Sequence, residues 1–195
     1  MRLIAALRII QKSNGKSLHQ KHVPCDLGYM RLAALDTKFL LAYAGGESDA
    51  EETLEYLRKN GFTLIITESV IEQLGELQRD KTHPAHDFAL YASWMYPQWG
   101  IYEQSNPYVD NGTSGVHADK IIEQGLIPDA TKIETEMLVE AYCHHCELLV
   151  TFSDSLLKAE PAPLNLALIE NDMGAVTVAI ASPKMIAERL RLLKK

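Results

Sequence analysis

Three acidic residues stand where the sequence could assemble a site for a divalent cation. Asp36 ends the apolar run RLAALD, Asp154 follows the apolar run ELLVTF, and Glu134 precedes that second run on a predicted helix. Because sites in open α/β sheets form beyond the carboxyl ends of the strands, we expect these carboxylates to converge. A buried Arg or Lys partner, or a helix-capping role, is the alternative explanation for a buried acid.

Glu134 is predicted to point inward from its helix. Apolar residues lie four and seven positions after it, on the same helical stripe. Glu136 and Glu140 fall on the opposite side, where two like charges one turn apart need solvent. We therefore expect Glu134 to be buried near Asp36, and Glu136 and Glu140 to be exposed.

Alternating apolar strands and amphipathic helices predict the frame that positions these acids. The pattern indicates a three-layer α/β/α domain with a mostly parallel central sheet. The predicted strands are RLAALD, FTLIIT, ELLVTF and VTVAIAS, and the predicted helices span 47–59, 68–79, about 117–124, 129–145 and PKMIAERLRLLKK. Residues 80–115 are predicted to be irregular, with a short strand at GIYEQ.

Size and composition exclude several classes of protein. The chain has 195 residues, 47% of them hydrophobic and 23% charged, which is typical of a globular domain. Its net charge of −7 argues against a protein that coats nucleic acid, but not against a nuclease, whose metal site concentrates carboxylates. No apolar run approaches the ~18 residues of a membrane span. Three cysteines without a disulfide spacing favour a reducing cytoplasm.

The chain divides into two predicted parts. Residues 1–31 are predicted to form a helix and a basic loop packed on the core, and residues 32–195 the main domain, with an aromatic-rich insertion at about 80–126. The aromatic residues of the insertion favour a small satellite core over a surface that stacks single-stranded bases. They are Phe88, Tyr91, Trp94, Tyr96, Trp99, Tyr102 and Tyr108.

Four segments in order resemble the PIN domain. They are LDTKFLLAY, TLIITESVIEQL, ETEMLVEAYCHHCELLVTFSD and VTVAIASPKMIAERL, which together span roughly 32–190 apart from 80–126. PIN domains are typically Mg²⁺- or Mn²⁺-dependent ribonucleases. The resemblance implies that Asp36, Glu134 and Asp154 are catalytic metal ligands, with Thr37 and Thr151 beside them. Hard oxygen ligands of this kind suit either ion.

The sequence departs from the family pattern at several of these positions. Gln73 occupies the position of the family's second acid. The adjacent Glu72 lies on the predicted solvent side of its helix. Either residue would complete the set of metal ligands. Ser153 stands at the usual fourth acid, one residue before Asp154. Lys38 occupies a position where a small polar residue is common.

Three functions remain open at this point. The first is a metal-dependent endoribonuclease that hydrolyses phosphodiester bonds in single-stranded or structured RNA, with an antitoxin as a protein partner or a homodimer as its assembly. The second is a PIN-like scaffold with weak or no activity that acts by binding RNA or protein. The third, a small-molecule hydrolase or phosphatase, is disfavoured because the sequence has no Gly-rich phosphate loop and no nucleophile elbow.

Overall fold

A computed structural model describes residues 31–104, 113–170 and 177–193. The predicted amino-terminal helix and most of its basic loop lie outside these ranges. The described strands are β1 (Arg31–Leu35), β2 (Phe62–Ile66), β3 (Ile101–Glu103), β4 (Leu148–Val150) and β5 (Ala179–Ala181). They form one sheet in the order β3-β2-β1-β4-β5, and all four neighbouring pairs are parallel.

Helices connect the strands and cover the sheet. They are α1 (Thr37–Ala44), α2 (Ser48–Lys59), α3 (Glu68–Arg79), α4 (His86–Met95), α5 (Thr113–Glu123), α6 (Lys132–Cys143), α7 (Asp154–Lys158), α8 (Pro161–Glu170) and α9 (Pro183–Leu193). Among the helices so described, none is both long and apolar enough to cross a membrane.

Two hydrophobic cores lie on opposite faces of the sheet. Ala33 and Leu35 of β1 face the core that α1, α2, α3 and α4 complete, whereas Ala34 faces the core formed with α5, α6, α7 and α8. Because both faces of each parallel strand are buried, the strands read as continuous apolar runs in the sequence. The predicted three-layer architecture with a parallel sheet is confirmed.

The stretch 80–115 was predicted as largely irregular, and this is wrong. It holds α4, whose buried face is made of Ala89 and Ala92, and the amino-terminal turn of α5. An alanine face gives little hydrophobic periodicity, so the sequence concealed this helix. The short strand predicted at GIYEQ is present as β3.

The predicted aromatic satellite core forms only in part. Tyr96 and Trp99 are half-buried against the main core, and Trp99 packs edge-on against Tyr43 with ring centroids 4.7 Å apart. Trp94, by contrast, is 77% exposed. Phe88, Tyr91 and Tyr102 are also exposed, and Tyr108 lies outside the described residues.

Candidate active site

Polar residues follow the five strands in a single row at the carboxyl edge of the sheet. The parallel registers place the residue after each strand beside its neighbour on the next strand. In sheet order the row is Gln104, Thr67, Asp36, Thr151 and Ser182. The only carboxylate of the row is therefore its central member.

Asp36 is buried and fully engaged in hydrogen bonds. Its Oδ1 accepts from the backbone N–H of Phe39 at 2.6 Å, which caps α1, and its Oδ2 accepts from the Thr151 hydroxyl at 2.5 Å and from the Phe152 N–H at 3.3 Å. Burial raises the pKa of Asp36 to about 6, against the lowering effect of these hydrogen bonds. The carboxylate is thus ionised at neutral pH, although burial has removed the water that would stabilise its charge.

Glu134 lies in the first turn of α6 and is buried, as predicted, with 8% of its surface exposed. Its Oε2 accepts from the Thr131 N–H at 3.0 Å in a capping box, and its Oε1 accepts from the Lys38 ammonium at 2.9 Å. Burial alone would raise the pKa of Glu134, but hydrogen bonds from Lys38, Thr131 and Ser153 bring it to about 2. The side chain therefore stays charged.

Thr151 and Ser153 link the surroundings of the two carboxylates. The Thr151 hydroxyl donates to Asp36 and accepts from the Ser153 N–H at 2.8 Å, and the buried Ser153 side chain helps to lower the pKa of Glu134. The Lys38 charge also acts on Asp36. The end of β1 and the first turns of α1 and α6 therefore supply two carboxylates and one ammonium that interact through Lys38. The convergence of Glu134 and Asp36 on one ion stays a prediction.

Neither of the other two predicted acids is buried. Asp154 is exposed at the start of α7, while the preceding Ser153 is buried. Glu72 is exposed on α3, on its predicted solvent side, and Gln73 is half-buried. Within the described ranges no three His, Cys, Asp or Glu side chains form a group that could hold a metal. The metal-ligand roles therefore stay predictions.

The prediction that Glu136 and Glu140 are exposed is wrong. Glu136 is half-buried, and Glu140 is 2% exposed. The Glu140 carboxylate accepts from the Ser69 N–H at 3.1 Å and from the Ser69 hydroxyl at 2.6 Å, at the first turn of α3. The first N–H groups of a helix have no partner within it, and Glu140 supplies one to α3. The helical wheel cannot reveal a partner on another helix.

Two buried hydroxyls at this edge find no hydrogen-bond partner among the described residues. They belong to Thr37, which follows Asp36, and to Thr67, which neighbours Asp36 in the polar row. Thr67 was not predicted as a site residue, although its place directly after β2 marks the same edge. The carboxylates and free hydroxyls fit Mg²⁺ or Mn²⁺, because such ions keep several waters and take only one or two protein carboxylates.

Comparisons with known proteins bear on the fold. No protein-family model matches the sequence, and no curated protein matches it. Among solved structures, the chain is similar to a chain in the crystal structure of VapBC2 from Rickettsia felis bound to a DNA fragment from their promoter. The TM-score is 0.50 and the sequence identity 12%, and the match covers 76% of this chain and 98% of that chain. With the five-stranded parallel sheet and its two helical layers, this likeness shows that the chain has a PIN-like fold.

Proposed function

We propose that this chain is a divalent-metal-dependent endoribonuclease that hydrolyses phosphodiester bonds in RNA at the Asp36–Glu134 pair. The observation that carries the proposal is the buried Asp36 carboxylate, whose pKa burial raises to about 6 at the centre of the carboxyl edge. A carboxylate held there costs stability unless a ligand offsets the cost. Stability is therefore given up at the place where parallel α/β sheets carry their sites.

The two carboxylates would bind the ion, and neighbouring hydroxyl groups would orient them. Asp36 and Glu134 would hold the cation, and the hydrogen bonds from Thr151 and Thr131 fix the orientation of the two carboxylates. When bound, Mg²⁺ or Mn²⁺ supplies activation of water and stabilisation of the charge that develops on the phosphate. The buried hydroxyls of Thr37 and Thr67, which have no partner among the described residues, would be donors to ordered water beside the ion.

The test is cleavage of a labelled single-stranded RNA by the purified full chain. We expect cleavage with Mn²⁺ or Mg²⁺, and none with chelator. Asp36→Asn and Glu134→Gln should each lower the rate by more than about 100-fold, because even the groups that orient metal ligands contribute 10- to 100-fold. Glu76→Gln, on the exposed side of α3, is the matched control and should leave the rate unchanged. A folded wild type that cleaves no RNA with either ion would contradict the proposal.

Asp154→Asn decides whether the third predicted ligand takes part. Asp154 is exposed, so a loss equal to that of Asp36→Asn would mean that it reaches the ion through water. An unchanged rate would restrict the ligands to Asp36 and Glu134.

A non-cleaving PIN-like scaffold is the second candidate, and a specific observation favours it. The resemblance places Ser153 and Gln73 at two of the family's acid positions, and neither side chain carries a charge. If the wild type binds RNA without cleaving it, the double substitution Gln73→Glu with Ser153→Asp should create Mn²⁺ binding. Failure of that double variant to bind Mn²⁺ while folded would show that the missing acids are not the reason.

RNA as substrate, a cytoplasmic location and a protein partner also belong to the proposal. The similar structure holds VapBC2 together with promoter DNA, which suggests an antitoxin-like partner for this chain. A homodimer is the other assembly that we predict. Light scattering on the purified chain tests it, because a monomer has a mass of 21.8 kDa.

A further inference from the structure

Lys38 places a positive charge on the candidate metal site from within the chain. It lies in the first turn of α1, two residues after Asp36, and its Nζ is 2.9 Å from Oε1 of Glu134 on α6. The lysine side chain is 53% exposed, whereas that of Glu134 is 11% exposed. The ammonium thus reaches the carboxylate from the open side of the site.

The contact occupies the one Glu134 oxygen that the local backbone leaves available. Oε2 is taken by the N–H and the hydroxyl of Thr131, so Oε1 is the oxygen left for an ion. Lys38 also acts electrostatically on Asp36, so one ammonium offsets part of the charge of both carboxylates. A divalent cation bound at Oε1 would meet a like charge in the ammonium, which lies 2.9 Å from that oxygen.

We propose that Lys38 is an internal competitor for the divalent cation, which binds at Glu134 only after the ammonium has left. The proposal rests on the proposed function, because it concerns the same site. The lysine can leave, since its own side chain is 53% exposed and its four-carbon stem can turn to solvent. The consequence is a site with lowered metal affinity, which fills only when the cation concentration is high enough to displace the lysine.

The test is a Mn²⁺ titration of the metal-free full chain, followed by the paramagnetic resonance signal of free Mn²⁺. Lys38→Met keeps the stem of the side chain and removes its charge, and should tighten Mn²⁺ binding by about tenfold. Lys38→Arg keeps the charge and should bind no more tightly than the wild type. In the Lys38→Met background, Asp36→Asn should abolish the gain, which shows that the tighter ion is at this site.

Lys132→Met is the matched control. Lys132 also pairs with a carboxylate at 2.9 Å, that of Asp119, and its side chain is 54% exposed, so the variant changes the net charge equally and leaves the Lys38–Glu134 ion pair in place. Its Mn²⁺ affinity should equal that of the wild type. Thermal melting in chelator confirms that each variant folds.

The outcomes separate this proposal from the proposed function. If the wild type and Lys38→Met bind Mn²⁺ equally tightly, or if Lys132→Met tightens binding as much as Lys38→Met, the competition is overturned and the metal site stands. If the wild type and every variant bind no Mn²⁺ while folded, the metal site itself is refuted. The competition between Lys38 and the cation is supported if Lys38→Met alone binds Mn²⁺, or if it binds Mn²⁺ more tightly than the wild type, Lys38→Arg and Lys132→Met do.

Discussion

Asp36→Asn is expected to make the metal-free protein more stable while it destroys the site. The substitution replaces a buried carboxylate by an amide of nearly the same shape. Burial raises the pKa of Asp36 from its ordinary 3.8 to about 6, so folding with an ionised Asp36 costs about 3 kcal/mol at neutral pH. The neutral amide does not carry this cost.

Lost hydrogen bonds offset part of that gain. The amide oxygen can still accept from the Phe39 N–H, and the amide N–H₂ can donate to the Thr151 hydroxyl. The Phe152 N–H and the Thr151 O–H then have no acceptor left, which costs about 1–2 kcal/mol. The net expectation is a variant more stable than the wild type by about 1–2 kcal/mol at neutral pH.

The pH dependence gives the sign of the effect a separate check. The folded state holds the Asp36 proton more tightly than the unfolded state, so the cost is absent below about pH 4, where both states are protonated. It grows as the pH rises towards about 6 and is constant above. The stability advantage of Asp36→Asn should follow the same course.

Urea denaturation of both proteins in chelator, at intervals from pH 4 to pH 8, measures this difference. A variant that is less stable than the wild type at pH 7.5, or an advantage that does not grow between pH 4 and pH 6, would refute the reasoning. Added Mn²⁺ should stabilise the wild type and leave Asp36→Asn unchanged.

Four further substitutions test the packing of the fold. Glu140→Ala should lower the free energy of unfolding by about 2–3 kcal/mol, because the buried N–H and hydroxyl of Ser69 lose their acceptor; a loss below 0.5 kcal/mol in urea denaturation would contradict that cap. Ser153→Ala should cost about 1–2 kcal/mol in the same assay, since it removes the cap of α7, and an unchanged midpoint would count against it. Trp99→Ala should cost about 3 kcal/mol and Trp94→Ala less than about 0.5 kcal/mol, since only Trp99 is packed on the core; equal melting temperatures for the two variants would argue against this packing.

The sequence predicted those parts of the structure that depend on local pattern. Parallel strands buried on both faces give continuous apolar runs, which is why β1, β2 and β4 could be located. The burial of Glu134 followed from the apolar residues one and two turns after it. Asp36 was placed correctly because it directly follows a strand.

The parts that the sequence concealed depend on partners distant in the chain. Glu140 meets Ser69 across 71 positions, and Lys38 meets Glu134 across 96. A helical wheel gives the direction of a side chain but not what another helix offers there. The inward-facing Ser153 was likewise taken as secondary to Asp154, because only the fold shows which of two adjacent residues points inward.

The same long separations decide when the site comes into existence during synthesis. Asp36 meets Thr151 across 115 positions, so neither half of the chain can form the site alone. At ordinary rates of translation, roughly ten seconds pass between the synthesis of these two residues. Throughout that time the nascent chain holds Asp36 without the segments that orient it. If the chain is a nuclease, this delay separates the synthesis of its first ligand from its activity, because the site is completed only after Thr151 has been made.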